Sequence, residues 1–148
     1  MTNRIEKSVV LDAPIERVWQ ALTDHEEFGQ WFRVKLDGPF VVGQPTTGRM
    51  TYPGYNDVKW ESLTETMDPP RLFVFTWPCP EGLHTAPGAR ASRMRVEFRL
   101  EATATGTRVT VTESGFAGMP ADRRTDAMRQ IEEGWEEQMR NIKAYLDA

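Results

Sequence analysis

Near the C-terminus, Met128, Ile131, Trp135, Met139, Ile142 and Leu146 recur at intervals of three or four residues. That spacing is the period of an α-helix with one apolar stripe, and the intervening positions are rich in Glu and Arg. The pattern predicts a helix from Asp122 to Asp147, on the order of 39 Å long at the usual rise per residue. From about Thr46 up to that helix, the sequence alternates at period two, as strands do. One long helix after a run of antiparallel strands can bury its stripe only across the sheet. Since the stripe carries Met and Trp, the space between helix and sheet is either packed core or pocket.

The chain of 148 residues is read as one domain, 1–148, large enough for its own core. With 39% hydrophobic and 27% charged residues it has the balance of a globular protein, which argues against disorder. No apolar run approaches the roughly 18 residues of a membrane span, and Met1 to Lys7 has no apolar signal region. Cys79 is the only cysteine, so no internal disulfide forms, which suits a reducing cytoplasm. A net charge of −4 argues against nucleic acid and anionic membrane as partners. The expectation is a cytoplasmic domain, monomer or homodimer, with a small ligand or a protein partner.

Along the chain, Ile5, Val9 and Leu11 mark one side of a first strand, with Glu6 and Ser8 opposite. Asp12 or Ala13 is the expected cap of a helix with Pro14 at its start and Ile15, Val18, Trp19 and Leu22 on its apolar face. Thr23 or Asp24 caps a second, shorter helix ending at Trp31-Phe32, and Val34 with Leu36 suggests a short strand. Strands follow over Thr46 to Tyr52 and Val58 to Met67, around a Pro53-Gly54-Tyr55-Asn56 turn. Leu72 to Trp77 places Phe73, Phe75 and Trp77 on one face, and Cys79 to Ala91 is a long loop. Arg93 to Glu101 alternates with Met94, Val96, Phe98 and Leu100 inward; its outward Arg93, Arg95, Glu97 and Arg99 read as a solvated, ion-paired face. After a turn at Ala104-Thr105-Gly106, Thr107 to Ser114 returns with Val109, Val111 and Glu113 on one face. Strands and helices are segregated, an α+β arrangement.

Several signatures occur in order: Ala13-Pro14 with Val18-Trp19 and Ala21-Leu22-Thr23, then Trp31-Phe32, then Pro69-Pro70-Arg71-Leu72-Phe73-Val74-Phe75-Thr76-Trp77. Gly106-Thr107 before Val109-Thr110-Val111, Glu113-Ser114-Gly115-Phe116, Gly134-Trp135 and Ala144-Tyr145-Leu146 complete the series. Together they resemble the helix-grip superfamily, also called START-like or SRPBCC. Within it they resemble the branch named after the activator of heat-shock-protein-90 ATPase. The resemblance runs from Ile5 to Leu146 and implies a curved antiparallel sheet of about six to seven strands around the C-terminal helix. A cavity would lie between them, with two short helices after strand one closing one end. Gly43-Gln44 stands where Gly-Gly is frequent in the family, and the segment between Trp60 and Pro69 is longer than usual.

Candidate chemistry is sparse. His25, His84 and Cys79 have no metal-ligand spacing, so no metal is expected. No glycine loop precedes a helix, and no cofactor is implied. Cys79 lies between two prolines without a neighbouring base, which reads as an inert loop thiol. Glu113 and Glu65 are the weak catalytic candidates: a carboxylate on the concave face among aromatic rings would be desolvated and able to move a proton. The bland alternative is that Glu113 pairs with an arginine or bonds a group on the helix. Trp31, Phe32, Trp60, Phe75, Trp77, Met94, Phe98, Met128, Trp135 and Met139 are the expected ligand-binding set. Such stripes are ordinarily core, and the family resemblance tilts the reading toward a cavity. Gly134, mid-helix, suggests close packing or a bend at Trp135. The reading is a binder of a small apolar or aromatic molecule. The alternatives are a cyclase- or hydrolase-like enzyme using a cavity carboxylate, or a domain that engages a chaperone or other protein partner.

Overall fold

Alternating side chains fill the inner face of a seven-stranded antiparallel sheet, ordered β1-β7-β6-β5-β4-β3-β2. The computed structural model describes residues 4–51, 53–54, 58–78, 93–116 and 119–147. The strands are β1 (Arg4–Leu11), β2 (Val34–Leu36), β3 (Pro45–Met50), β4 (Lys59–Asp68), β5 (Leu72–Pro78), β6 (Arg93–Ala102) and β7 (Thr107–Ser114). The helices are α1 (Ile15–Thr23), α2 (His25–Phe32) and α3 (Ala121–Asp147). This is the helix-grip arrangement: two short helices after strand one, and a long C-terminal helix. The chain enters on one edge of the sheet and crosses through α1 and α2 to the opposite edge. It then returns strand by strand until β7 pairs with β1 along its whole length.

Local chemistry sets the elements. Pro14, not Asp12 or Ala13, is the N-cap of α1, and no side chain caps it. The pyrrolidine ring pre-sets φ at −62° there and has no N–H to satisfy. Asp24 caps α2 by accepting the N–H groups of Glu26 and Glu27 at 3.0 and 3.1 Å. Arg33, left-handed with φ 69°, ends α2. At the β6–β7 turn a Cβ on Gly106 would lie 1.9 Å from the Leu11 carbonyl oxygen. The next residue, Thr107, donates its hydroxyl to the Ala13 carbonyl at 2.8 Å. The turn therefore docks directly under the start of α1.

Inside, Phe73, Phe75, Met94, Val96, Phe98, Leu100, Val109 and Val111 from β5 to β7 meet Trp135, Met139 and Ile142 of α3. Polar ties fix where α3 lies. Lys7, on the inner side of β1, bonds Glu136 at 2.8 Å and lies 3.5 Å from Glu132. Gln138 donates to the Phe32 carbonyl at 3.2 Å, and Tyr145 donates to Glu27 at 2.7 Å, so α2 and α3 are pinned at two levels. On the outer face Glu97 accepts from Arg95 at 3.1 Å and from Arg99 at 2.6 Å, as an ion-paired surface should.

One expectation about the concave face fails. Glu65 points outward, exposed, and lies 3.4 Å from Arg95. Glu65 keeps the outward phase of Glu61 and Leu63, and a β-bulge separates it from Met67: the β4–β5 register shifts between Thr64 and Thr66, with Thr64 opposite Phe75 and Met67 opposite Phe73. The extra residue reverses the alternation there. Trp60, Ser62 and Thr64 face inward before it and Met67 packs on the core after it, while Glu65 is left outside.

Candidate functional site

Glu113 follows Val109 and Val111 on the inner face of β7 and is 2% exposed. Its register neighbours are Ile5 on β1 and Val96 on β6, both apolar. Two indoles supply its hydrogen bonds. Trp77 of β5 donates from Nε1 to Oε2 at 2.8 Å, and Trp135 of α3 donates from Nε1 to Oε1 at 2.7 Å. The Trp77 and Trp135 rings stack at 6.0 Å between centroids, 21° from parallel. Burial pushes the Glu113 carboxyl above its ordinary 4.5, and the two indole N–H groups pull it partly back. This joins strand to helix as the bland reading had it, through a group on the helix rather than through an arginine.

Beside this carboxyl a recess of about 690 Å³ lies between α3 and the sheet. Phe32, Trp60, Trp77 and Trp135 form its aromatic wall, with Glu113 among them. Trp60 packs edge-on against Trp77 at 5.2 Å and against Phe32 at 5.3 Å. Its own N–H is committed to the Ser62 hydroxyl at 3.0 Å. Ile131, Gly134 and Gln138 give the helix side of the wall. Exposed Val58, Lys59, Glu61 and Pro78 stand where the recess meets solvent.

Of the residues expected to bind a ligand, Phe32, Trp60, Trp77 and Trp135 come together on this wall. Phe75, Met94, Phe98 and Met139 lie in the packed core instead, and Met128 is half-buried against it. Trp31 is also core, its N–H held by the Ala21 carbonyl at 2.8 Å. Periodicity marks which side chains turn inward, not whether protein atoms or empty space face them. Met50, Val58, Ile131 and Gln138 were not anticipated on the wall. Ile131 had a usable signal, lying one helical turn before Trp135 on the same stripe.

Of the two readings of Gly134, close packing or a bend at Trp135, the first does not hold. A Cβ built there meets nothing within 4 Å, so this glycine is not required by close packing. It leaves open space on the recess wall. Cys79, His84 and the 79–91 loop lie outside the described residues. Among the described residues no group of three or more His, Cys, Asp or Glu is placed to hold a metal, and no helix is long and apolar enough to cross a membrane.

The family model described as "Activator of Hsp90 ATPase homolog 1-like protein" matches residues 12–147. No curated protein matches the chain. Among solved structures, a Mesorhizobium loti protein shares 22% identity over 97% of this chain and 96% of its own, with a TM-score of 0.76. A Staphylococcus saprophyticus protein shares 23% over 97% of this chain and 91% of its own, at 0.74. An Arthrobacter aurescens protein solved by NMR shares 21% over 98% of this chain and 86% of its own, at 0.77. Identities this low speak to the fold alone. With the family match running over nearly the whole chain and the helix-grip architecture in place, the chain belongs to the activator of Hsp90 ATPase homolog 1-like family.

Proposed function

We propose that this protein binds a small apolar or aromatic molecule in the recess between α3 and the sheet. The observation that carries the reading is the wall itself, with Phe32, Trp60, Trp77 and Trp135 surrounding one buried polar group, Glu113. Small-molecule pockets have this composition, mostly apolar with few convergent polar atoms, and volumes of roughly 300–1,000 Å³. Gly134 is compatible with it, since this exposed glycine lines the recess and a Cβ there would meet open space. The second carboxylate expected for a paired-acid mechanism, Glu65, lies on the other face of the sheet.

Native mass spectrometry of protein purified without denaturation, followed by solvent extraction, tests the proposal. Retention of an apolar molecule by the native chain and its loss from Gly134→Leu is the expected result. A clean unliganded mass, together with tryptophan emission that does not respond to titrated naphthalene, would overturn it.

A further inference from the structure

A carboxylate as buried as Glu113 is ordinarily balanced by a cation, because taking a lone charge out of water is costly. Here both oxygens are held by neutral donors, the indole N–H groups of Trp77 and Trp135. Burial and those two bonds account for its electrostatics, with no Lys or Arg among the described residues contributing. By element, the charged neighbours are Lys7 on β1 and Lys59 and Glu61 on β4. Lys7 is engaged by Glu132 and Glu136 of α3, while Lys59 and Glu61 are exposed on the solvent side of the recess.

The indoles bear on the same point. A carboxylate accepting an indole N–H pushes electron density into the ring, which deepens the negative potential over its π face. Trp77 and Trp135 are both polarised this way and both line the recess, beside the rings of Trp60 and Phe32. The recess thus presents one buried carboxyl group and several electron-rich ring faces within a mostly apolar wall, with Lys59 and Glu61 only at its exposed edge. An anionic ligand would meet like charge there, and a neutral hydrocarbon would leave the carboxylate unbalanced. An ammonium with apolar substituents satisfies both the carboxylate and the rings.

We infer that the recess selects a small organic cation, an alkyl- or arylammonium, with its charged nitrogen held by Glu113 and the faces of Trp77 and Trp135. This rests on the ligand-binding reading above and narrows its ligand class.

The test uses two probes of one shape, phenyltrimethylammonium and its neutral isostere tert-butylbenzene, titrated by tryptophan emission and calorimetry. The quaternary nitrogen carries no ionisable proton, so any pH dependence belongs to the protein. At about pH 8 the ammonium should bind about tenfold or more tightly than the hydrocarbon. In Glu113→Gln the preference should fall to within about twofold, the hydrocarbon's affinity being nearly kept. In the wild type it should also shrink toward pH 4.5, the ordinary value that burial raises in Glu113, because the protonated carboxyl no longer attracts a cation. Where the Gln variant does not fold by circular dichroism, the wild-type pH series decides alone. Equal or tighter binding of tert-butylbenzene at about pH 8 would overturn the cation inference and leave the pocket standing. Failure of both probes to bind would remove the pocket reading and the inference with it.

Discussion

Trp135→Phe isolates the bond between helix and sheet carboxylate while keeping an aromatic ring in place. Trp135 is 3% exposed and its N–H reaches Glu113 Oε1 at 2.7 Å, a short bond to a charge-bearing acceptor. Losing a hydrogen bond to an ionised group costs about 1.5–3 kcal/mol. The smaller ring gives up about 1 kcal/mol of buried apolar area. Near pH 7.5 the variant should therefore be less stable by about 2.5–4 kcal/mol.

The penalty must also depend on pH. Folded Glu113 sits above its ordinary 4.5, so its contribution to stability is fully present below that value and is lost as pH rises through the raised folded value. The Trp135 N–H opposes that rise, so removing it carries the folded value higher still and deepens the loss at neutral pH. Urea unfolding of wild type and variant at about pH 4.5 and about pH 7.5, followed by far-UV circular dichroism, should show the smaller penalty at the lower pH. An equal penalty at both pH values, or one of only about 1 kcal/mol at the higher, would refute the indole–carboxylate bond.

Gly134→Ala should stabilise the protein by up to about 1 kcal/mol in denaturant unfolding, because the added methyl meets open space and α3 gains helix propensity. Destabilisation would mean that the glycine serves close packing after all. Glu65→Ala should change stability by no more than about 0.5 kcal/mol, since it removes one half-exposed ion pair and Arg95 keeps Glu97 as a partner. A loss of several times that, in the same assay, would place Glu65 on the inner face instead.

Most strand boundaries were readable in the sequence because one face is buried along the length of each strand. β7 runs from Thr107 to Ser114 as the alternation predicts, and Glu113 follows Val109 and Val111 inward for the same reason. Where the period broke, inference from alternation broke with it. The bulge at Thr64–Thr66 leaves no mark in hydrophobicity, so Glu65 and Met67, which simple alternation puts on one face, lie on opposite ones. Phe75 and Trp77 show a different limit. They are equivalent by alternation, but Phe75 is sealed in the core while Trp77 reaches the recess.

What the sequence determined by itself was the inventory of elements, their order and their buried faces. Those follow from backbone periodicity and short-range signals: Asp24 capping α2, the Ala104-Thr105-Gly106 turn and the stripe on α3. What only the tertiary structure decided was which inward side chains meet one another. Trp77, Glu113 and Trp135 lie on three separate elements, and nothing local to any of them encodes the other two. Their meeting depends on sheet register and on where Lys7, Gln138 and Tyr145 anchor the helix. Whether space or atoms remain between them is a property of the assembled packing, which no single stretch of chain contains.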